Sequence, residues 1–499
     1  MSTQEVEASM AVAARGIASD ATMELSEAAR QAFGAPAPSG DPVDALAARV
    51  KDRASGAVDG LQVAAMLEAD GVSDRTARVE YGFQDVFDLA EAVYVRVADR
   101  RPPARPLEVP PPNRRELLHG LLYLLPSALF PAVVAIVAPH PLVVALLTGG
   151  ALGWVWAGAA SWLAYQGLNV GDPRAAARVL IGASGLGVAV AAGLGVAVTA
   201  VAGGGIAAAA LVPGVMVYQM AATLLVFHRH ELLLGAVMLP AVGLGVATAV
   251  HRGGPGLARW ALVVVAVTVL VALTLAMVLA RRAGRTGPET PHSTVRALLR
   301  GRTGTFLLVA LYAALSAAFL LHAQAPYLLT HFDVVVAGVP LIAAMGIVEW
   351  RARVFVERSR LLLHRVSRPR QFVRGVWRML GTDLLLCWLA VAAGAVLLLA
   401  GLRWAGRLTP AGTIMAGAQV AVAGAYFLAF VMVAHGRYGW LCTALAVATA
   451  AHVGADVLLP RVAADAASDV LLFLASAVLL QVLLTIALVP VLGQARRYR

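Results

Sequence analysis

His452 and Asp456 stand four residues apart in an apolar run, a spacing that puts both on one face of a helix. An imidazole and a carboxylate so placed can share a proton, and a proton-coupled exporter needs a group that titrates during its cycle. The same pair can instead form an interhelical hydrogen bond near the external end of a span, where Pro460 and Arg461 mark an interface. His331 and Asp333 offer similar chemistry at the start of another apolar run, as a solvated boundary or as an ion site. Gln166, Gln219 and Gln419 each donate and accept hydrogen bonds, as a hydroxyl-rich ligand requires, although glutamines also join helices inside membranes. Tyr165 and Tyr218 precede two of these glutamines; Tyr426, His435 and Gln481 complete the polar supply. Such side chains face a cavity or a partner helix, because facing lipid costs several kcal/mol on some scales.

Enzymatic chemistry finds little support. Cys387 and Cys442 are the only cysteines, and both lie in apolar runs, which excludes a disulfide scaffold or a multi-cysteine metal site. There is no Walker loop, zinc spacing or dinucleotide fingerprint. A multi-span glycosyltransferase would carry acidic pairs in a large external loop, whereas the external loops here are short and nearly free of carboxylates. A membrane acyltransferase would want a histidine within the bilayer, for which His331 and His452 are lone candidates. The reading is therefore a non-enzyme with no catalytic residues, no cofactor and no metal site.

The elements that hold these residues follow from composition. Of 499 residues, 60% are hydrophobic and only 14% charged, with mean hydropathy +0.76, too much apolar surface for one soluble core. The fold class is all-α, a polytopic membrane protein. Twelve apolar segments approach the roughly 20 residues that a spanning helix needs: 117–138, 141–166, 176–199, 204–227, 231–250, 259–280, 304–322, 328–348, 383–402, 409–434, 438–458 and 468–492. Alternate loops put 22 arginines on one side and 5 on the other, which places both termini in the cytoplasm of a plasma-membrane protein. A basic connector over 281–303 divides a first six-helix half, 115–280, from a second, 304–499. Two six-span halves joined in this way are the layout of a transporter with an internal repeat. The second span of each half leads into a polar cytoplasmic segment. In the second half this is 349–378, which reads as an amphipathic helix on the inner leaflet or as a solvated connector. No arginine stands near the middle of a span, while Arg114, Arg115, Arg178 and Arg229 near the cytoplasmic face either attract an anionic headgroup or set orientation.

Residues 1–101 differ in character. They are acidic, with 17 Asp and Glu against 9 Lys and Arg over the first hundred, which argues against nucleic acid as a partner. Residues 1–30 contain Glu5, Glu7, Asp20, Glu24 and Glu27 and lack a basic start followed by an apolar stretch, so this segment is expected to be cytoplasmic. Pro/Gly/Ser-rich residues 34–43 and a proline-rich linker at 102–114 bracket a small helical pair. Leu61, Val63, Met66 and Leu67 form its first stripe, which stops at Gly71; Ser73 or Asp74 caps the next turn; Val86, Leu89, Ala90, Val93 and Val97 form the second stripe. Its opposite charge makes the basic segments 281–302 and 349–378 its expected docking partners.

The stretch YQGLNVGDPRAAARVLIGASGLGVAVAAGLGVAV, residues 165–198, resembles the join between the second and third spans of the multidrug/oligosaccharidyl-lipid/polysaccharide exporter superfamily. Gly167, Gly171, Asp172, Arg174 and Arg178 carry the match. The opening 117–137, with Pro126 and Pro131, is similar to the bent first span of those exporters, and the arginine-rich join of spans eight and nine is similar to their polysaccharide branch. The major facilitator superfamily shares the span count, but NVGDPRAAAR lacks the second glycine and adjacent basic pair of its usual loop. The resemblance implies alternating-access export or flipping of a polysaccharide or a lipid-linked glycan precursor. Tyr165, Gln166, Gln219, Gln419, His452 and Asp456 are then candidates for the transport path. The implied partners are membrane lipid, the glycan substrate and cell-envelope glycosyltransferases. A proton-coupled drug exporter and a non-transporting scaffold for cell-envelope synthesis are the alternatives.

Overall fold

The computed structural model describes residues 41–54, 57, 59–99, 117, 119–126, 133, 139–250, 255–285, 294–366 and 369–493. It divides the chain into two compact units, residues 1–108 and 109–499. Among the described residues every regular element is helical, and eleven helices are long and apolar enough to cross a membrane. The chain is an all-α polytopic membrane protein. Most of the first expected span lies outside the described residues, as do residues 1–40, the linker 102–114 with Arg114, residues Arg115 and Pro131, connector positions 286–293 and the tail 494–499.

The amino-terminal unit has four helices: α1 (Pro42–Ala54), α2 (Gly60–Ala69), α3 (Asp74–Glu80) and α4 (Val86–Asp99). The expected pair is α2 and α4, with Val63, Leu67, Val86, Leu89, Ala90, Val93 and Val97 buried between them; Leu61 is instead exposed. Helix α1 begins inside the stretch read as linker, and adds Leu46, Ala47 and Val50 to the same core. Of the two candidate caps, Ser73 accepts from the Thr76 N–H, while Asp74 reaches across the turn to the Val86 N–H at 3.0 Å.

The membrane unit continues with α5 (His119–Leu124), α6 (Pro139–Asn169), α7 (Pro173–Ala202), α8 (Gly205–Phe227), α9 (Glu231–Val250) and α10 (Pro255–Arg285). After the short connector helix α11 (Val295–Leu299) come α12 (Thr303–Gln324), α13 (Phe332–Val336), α14 (Val339–Arg365), α15 (Pro369–Trp404), α16 (Pro410–Ala434), α17 (Tyr438–Leu458), α18 (Pro460–Ala463) and α19 (Ala466–Leu492). Prolines open α6, α7, α10, α15 and α16, where the missing N–H would have no intrahelical partner in any case. Each half has its own apolar core, and exposed leucines and valines along α10 and α15 form outward faces suited to lipid.

The packing repeats. In the first half α6 packs on α7 and α8, α7 on α8 and α10, α10 on α8 and α9, and α5 on α9. In the second half the same relations join α14 to α15 and α16, α15 to α16 and α19, α19 to α16 and α17, and α12 to α17. The main contacts between halves are also exchanged under this correspondence: α5 packs on α14 and α12 packs on α6. Small residues allow these crossings, Gly120 lying against the Ala343 backbone and Gly158 facing Ala313.

Segment 349–378 differs from expectation. It continues the spans: α14 has 27 residues and α15 has 36, about 40 and 54 Å long against a hydrocarbon core of roughly 30 Å. Phe355, Phe372 and Val376 are buried in the core of the second half, and Gly375 packs against Leu362. Side chains on both helices thus bury one another, so the segment forms an upright hairpin extending past the apolar region on the arginine-rich side.

Candidate functional site

Along α17, Leu441, Leu445, Ala448 and His452 form one buried stripe, so the 3.6-residue repeat that packs the helix also turns His452 inward. Asp456 follows one turn later. The structure brings His322, near the end of α12, to both: its ring lies 5.2 Å from that of His452, and its Nδ1 lies 3.8 Å from an Asp456 carboxylate oxygen. One donor atom from each of the three residues falls within 4.8 Å of the others. A first-row cation binds such ligands at about 2.0–2.2 Å, so a small inward shift would let one ion bridge all three.

A second polar contact adjoins the first. The Tyr327 phenol donates to the Asp469 carboxylate on α19, and Asp456 lies within electrostatic reach of Asp469. Phe473 packs against His452 at 5.6 Å and against Phe319 at 5.2 Å, closing one side with apolar surface. At the start of α19, exposed Asp465 accepts from the Ser468 hydroxyl and N–H, which hold its carboxyl below the usual carboxylate range. Two imidazoles, two carboxylates and a phenol thus meet where α12, α17 and α19 pack, at the end of the bundle opposite the arginine-rich loops. Their chemistry suits a transferable proton or a bound cation.

The remaining sequence candidates fall elsewhere. Gly171 and Asp172 form the tight turn between α6 and α7, Gly167 lies in the last turn of α6, and Arg174 and Arg178 lie in the first two turns of α7. Gly171 has φ +75°, and Gly167 lies so close to the Ala176 backbone that a β-carbon would collide with it. Buried Asp172 caps α7 by accepting from the Ala175 N–H at 2.8 Å, with Arg178 3.9 Å away, and the Arg174 Nε donates to the Gly284 carbonyl at the end of α10. The motif therefore fastens the arginine-rich ends of three helices. Gln166 accepts from Arg302 at 2.8 Å at the same end, away from the middle of its span. Gln219 is half-buried beside Gly153 of α6, and Gln419 is buried and donates to the Met415 sulfur at 3.4 Å. The three glutamines do not converge. Tyr165 is exposed and its ring lies 4.9 Å from that of Phe227.

Asp333 does not sit at a solvated boundary. It is buried and accepts from the Thr409 N–H at 2.7 Å and hydroxyl at 2.6 Å, tying α13 to the start of α16. His331 is bonded to the neighbouring Thr330 hydroxyl at 3.0 Å.

Sequence reasoning did not select His322, Tyr327 or Asp469, nor the buried ion pair between Arg351 on α14 and Asp383 on α15. His322 carried a usable signal, an ionisable residue within an apolar run. The partners of Arg351 and Asp383 are separated by 31 intervening positions, and no short spacing reveals them. No protein-family model matches the chain, and neither a curated protein nor a solved structure matches it.

Proposed function

We propose that this chain is a membrane transporter that exports or flips a polysaccharide or its lipid-linked precursor by alternating access. The observation that carries the reading is the repeated packing of two six-helix sets, including the exchanged contacts α5 with α14 and α6 with α12. Equivalent halves that meet through few helices can rock against each other, which is how transporters with internal repeats open a shared site to each side in turn. The glycan cargo rests on the exporter-like residues 165–198.

The cluster of His322, His452 and Asp456 favours coupling to a proton or cation. His322 belongs to α12, the same helix that crosses to α6 of the other half. Occupancy of the cluster therefore bears on a helix at the contact between halves, and an ion that prefers one arrangement shifts the population toward it. This feature equally suits a proton-coupled exporter of small molecules.

Deletion of the gene in its own host, with surface glycan and lipid-linked precursor measured, separates the readings. Loss of surface glycan with precursor accumulating is the expected result. An unchanged glycan profile with altered drug sensitivity would select the small-molecule exporter, and no change in either would leave a scaffold.

A further inference from the structure

Three ligating side chains converge where α12 meets α17, and bonds to one another do not complete them. His322 Nδ1 stands 3.8 Å from an Asp456 carboxylate oxygen, beyond hydrogen-bonding distance, and the His322 and His452 rings meet edge to face at 5.2 Å. One donor atom from each residue lies within 4.8 Å of the other two. His452 is 2% exposed, and its buried Nδ1 has no hydrogen-bond partner among the described residues; the same holds for the other Asp456 oxygen. Polar atoms buried in this way cost free energy, so an occupant that satisfies them together stabilises the cluster. The His322 side chain is 41% exposed and that of Asp456 25%, which leaves an approach to enclosed His452. His322 lies two residues before the end of α12 and Asp456 two before the end of α17, so the approach is from the end opposite the arginine-rich loops.

We infer that His322, His452 and Asp456 form a binding site for one first-row divalent cation of the Zn2+ class, which ties α12 to α17. Two imidazole nitrogens and one carboxylate are donors that such an ion takes, whereas Mg2+ and Ca2+ prefer oxygen alone. His452 and Asp456 present their donors from successive turns of one helix, the i, i+4 arrangement by which helices ligate zinc. His322 supplies the third donor from a neighbouring helix, and a fourth position is left for water. Donors around a tetrahedral ion at about 2.1 Å stand about 3.4 Å apart, so the cluster needs an inward movement of roughly 1 Å. Asp469, held by the Tyr327 phenol, brings a second carboxylate within electrostatic reach of His452 and Asp456 and so balances the ion's second charge. The inference narrows the ion coupling named above to one class of ion, and its geometry is independent of the cargo.

The test uses the full chain without a histidine tag, in lipid nanodiscs, stripped with a chelator and titrated with Co2+ and then Zn2+. Co2+ reports the site through the visible absorption of a tetrahedral ion, and Zn2+ displaces it. One ion per chain is expected, with Zn2+ bound at least about a hundredfold more tightly than Mg2+ or Ca2+. Loss of an outer-shell partner costs about 10–100-fold in metal affinity, so loss of a ligand in His322→Gln, His452→Gln or Asp456→Asn should weaken Zn2+ by at least about a hundredfold. His435→Gln, at the arginine-rich end of α16, should bind as wild type. Saturating Zn2+ should raise the SDS concentration that unfolds the wild type and leave the midpoints of the three ligand variants unchanged, while their metal-free midpoints report folding. Failure of the wild type to bind Zn2+, equal binding of Mg2+, or wild-type affinity in the folded ligand variants would overturn the inference. A flipping assay in proteoliposomes separates this from the transport reading. Zn2+ bound as expected by a chain that flips no cargo keeps the site and removes the transporter, and flipping by a chain that binds no Zn2+ does the reverse.

Discussion

The contact between Arg351 and Asp383 allows a quantitative test of how α14 and α15 are held together. The Asp383 side chain is 1% exposed and that of Arg351 10%, and Cys387 one turn beyond Asp383 is also buried. Removing one member of a buried pair leaves an uncompensated charge, at a cost of about 3–5 kcal/mol, whereas replacing both by apolar residues of similar volume is often neutral or stabilising. The two single changes should differ. Arg351→Met strands a carboxylate that is almost fully enclosed, so its cost belongs near the upper end of that range. Asp383→Leu leaves a guanidinium on a long stem that can turn toward the headgroup region, so its cost belongs near the lower end. The double variant should recover most of either loss, giving a coupling of about 6 kcal/mol. Unfolding of the purified protein by increasing SDS in mixed micelles measures all four corners of the cycle. If the double variant loses the sum of the two single losses, the residues do not act as a pair and the reasoning fails.

Other perturbations have defined outcomes. Asp172→Ala removes the side-chain cap of α7 and should cost about 1 kcal/mol in the same unfolding assay, while Asp172→Asn should retain most of the stability. If the proposed transport reading holds, flipping in proteoliposomes should vary between about pH 5 and 8, where imidazoles change charge. Asp456→Asn should flatten that dependence; a variant with the wild-type pH profile would remove the cluster from the coupling path. In the amino-terminal unit, the Arg53 guanidinium beside Asp70 holds its carboxyl below the usual carboxylate range. Because the folded value is depressed, this contact stabilises above the unfolded value of about 3.9 and is lost as pH falls through the folded value. The Asp70→Asn variant should therefore differ from wild type at neutral pH and converge with it at strongly acidic pH, measured by amide exchange over residues 41–99.

Helix positions were legible because a spanning helix needs only a long apolar run, a property of consecutive residues. The expected run 409–434 coincides with α16 to within a residue, and the cap at Asp172 is visible as Gly-Asp-Pro before an alanine-rich start. Segment 349–378 was harder. Most of its arginines recur on exposed faces, but Phe355, Phe372 and Val376, with Arg351 beside Phe355, face the other way and are covered only when α14 and α15 join the core of the second half. Amphipathicity establishes that one face is covered; it does not identify the covering surface.

The same distinction governs the polar residues. His452 and Asp456 could be paired from the sequence because four residues make one helical turn, and the structure retains them on neighbouring positions of α17. His322, Tyr327 and Asp469 join them from other elements, at sequence separations with no local period. Glu349 was read with the basic segment that follows it, because hydropathy averages a residue with its neighbours. Its surroundings follow instead from the packing of α14 on α5, a contact between the two halves. A duplicated architecture enlarges this gap: each half can be laid out from its own apolar runs, whereas a site shared between halves exists only once their exchanged contacts are known.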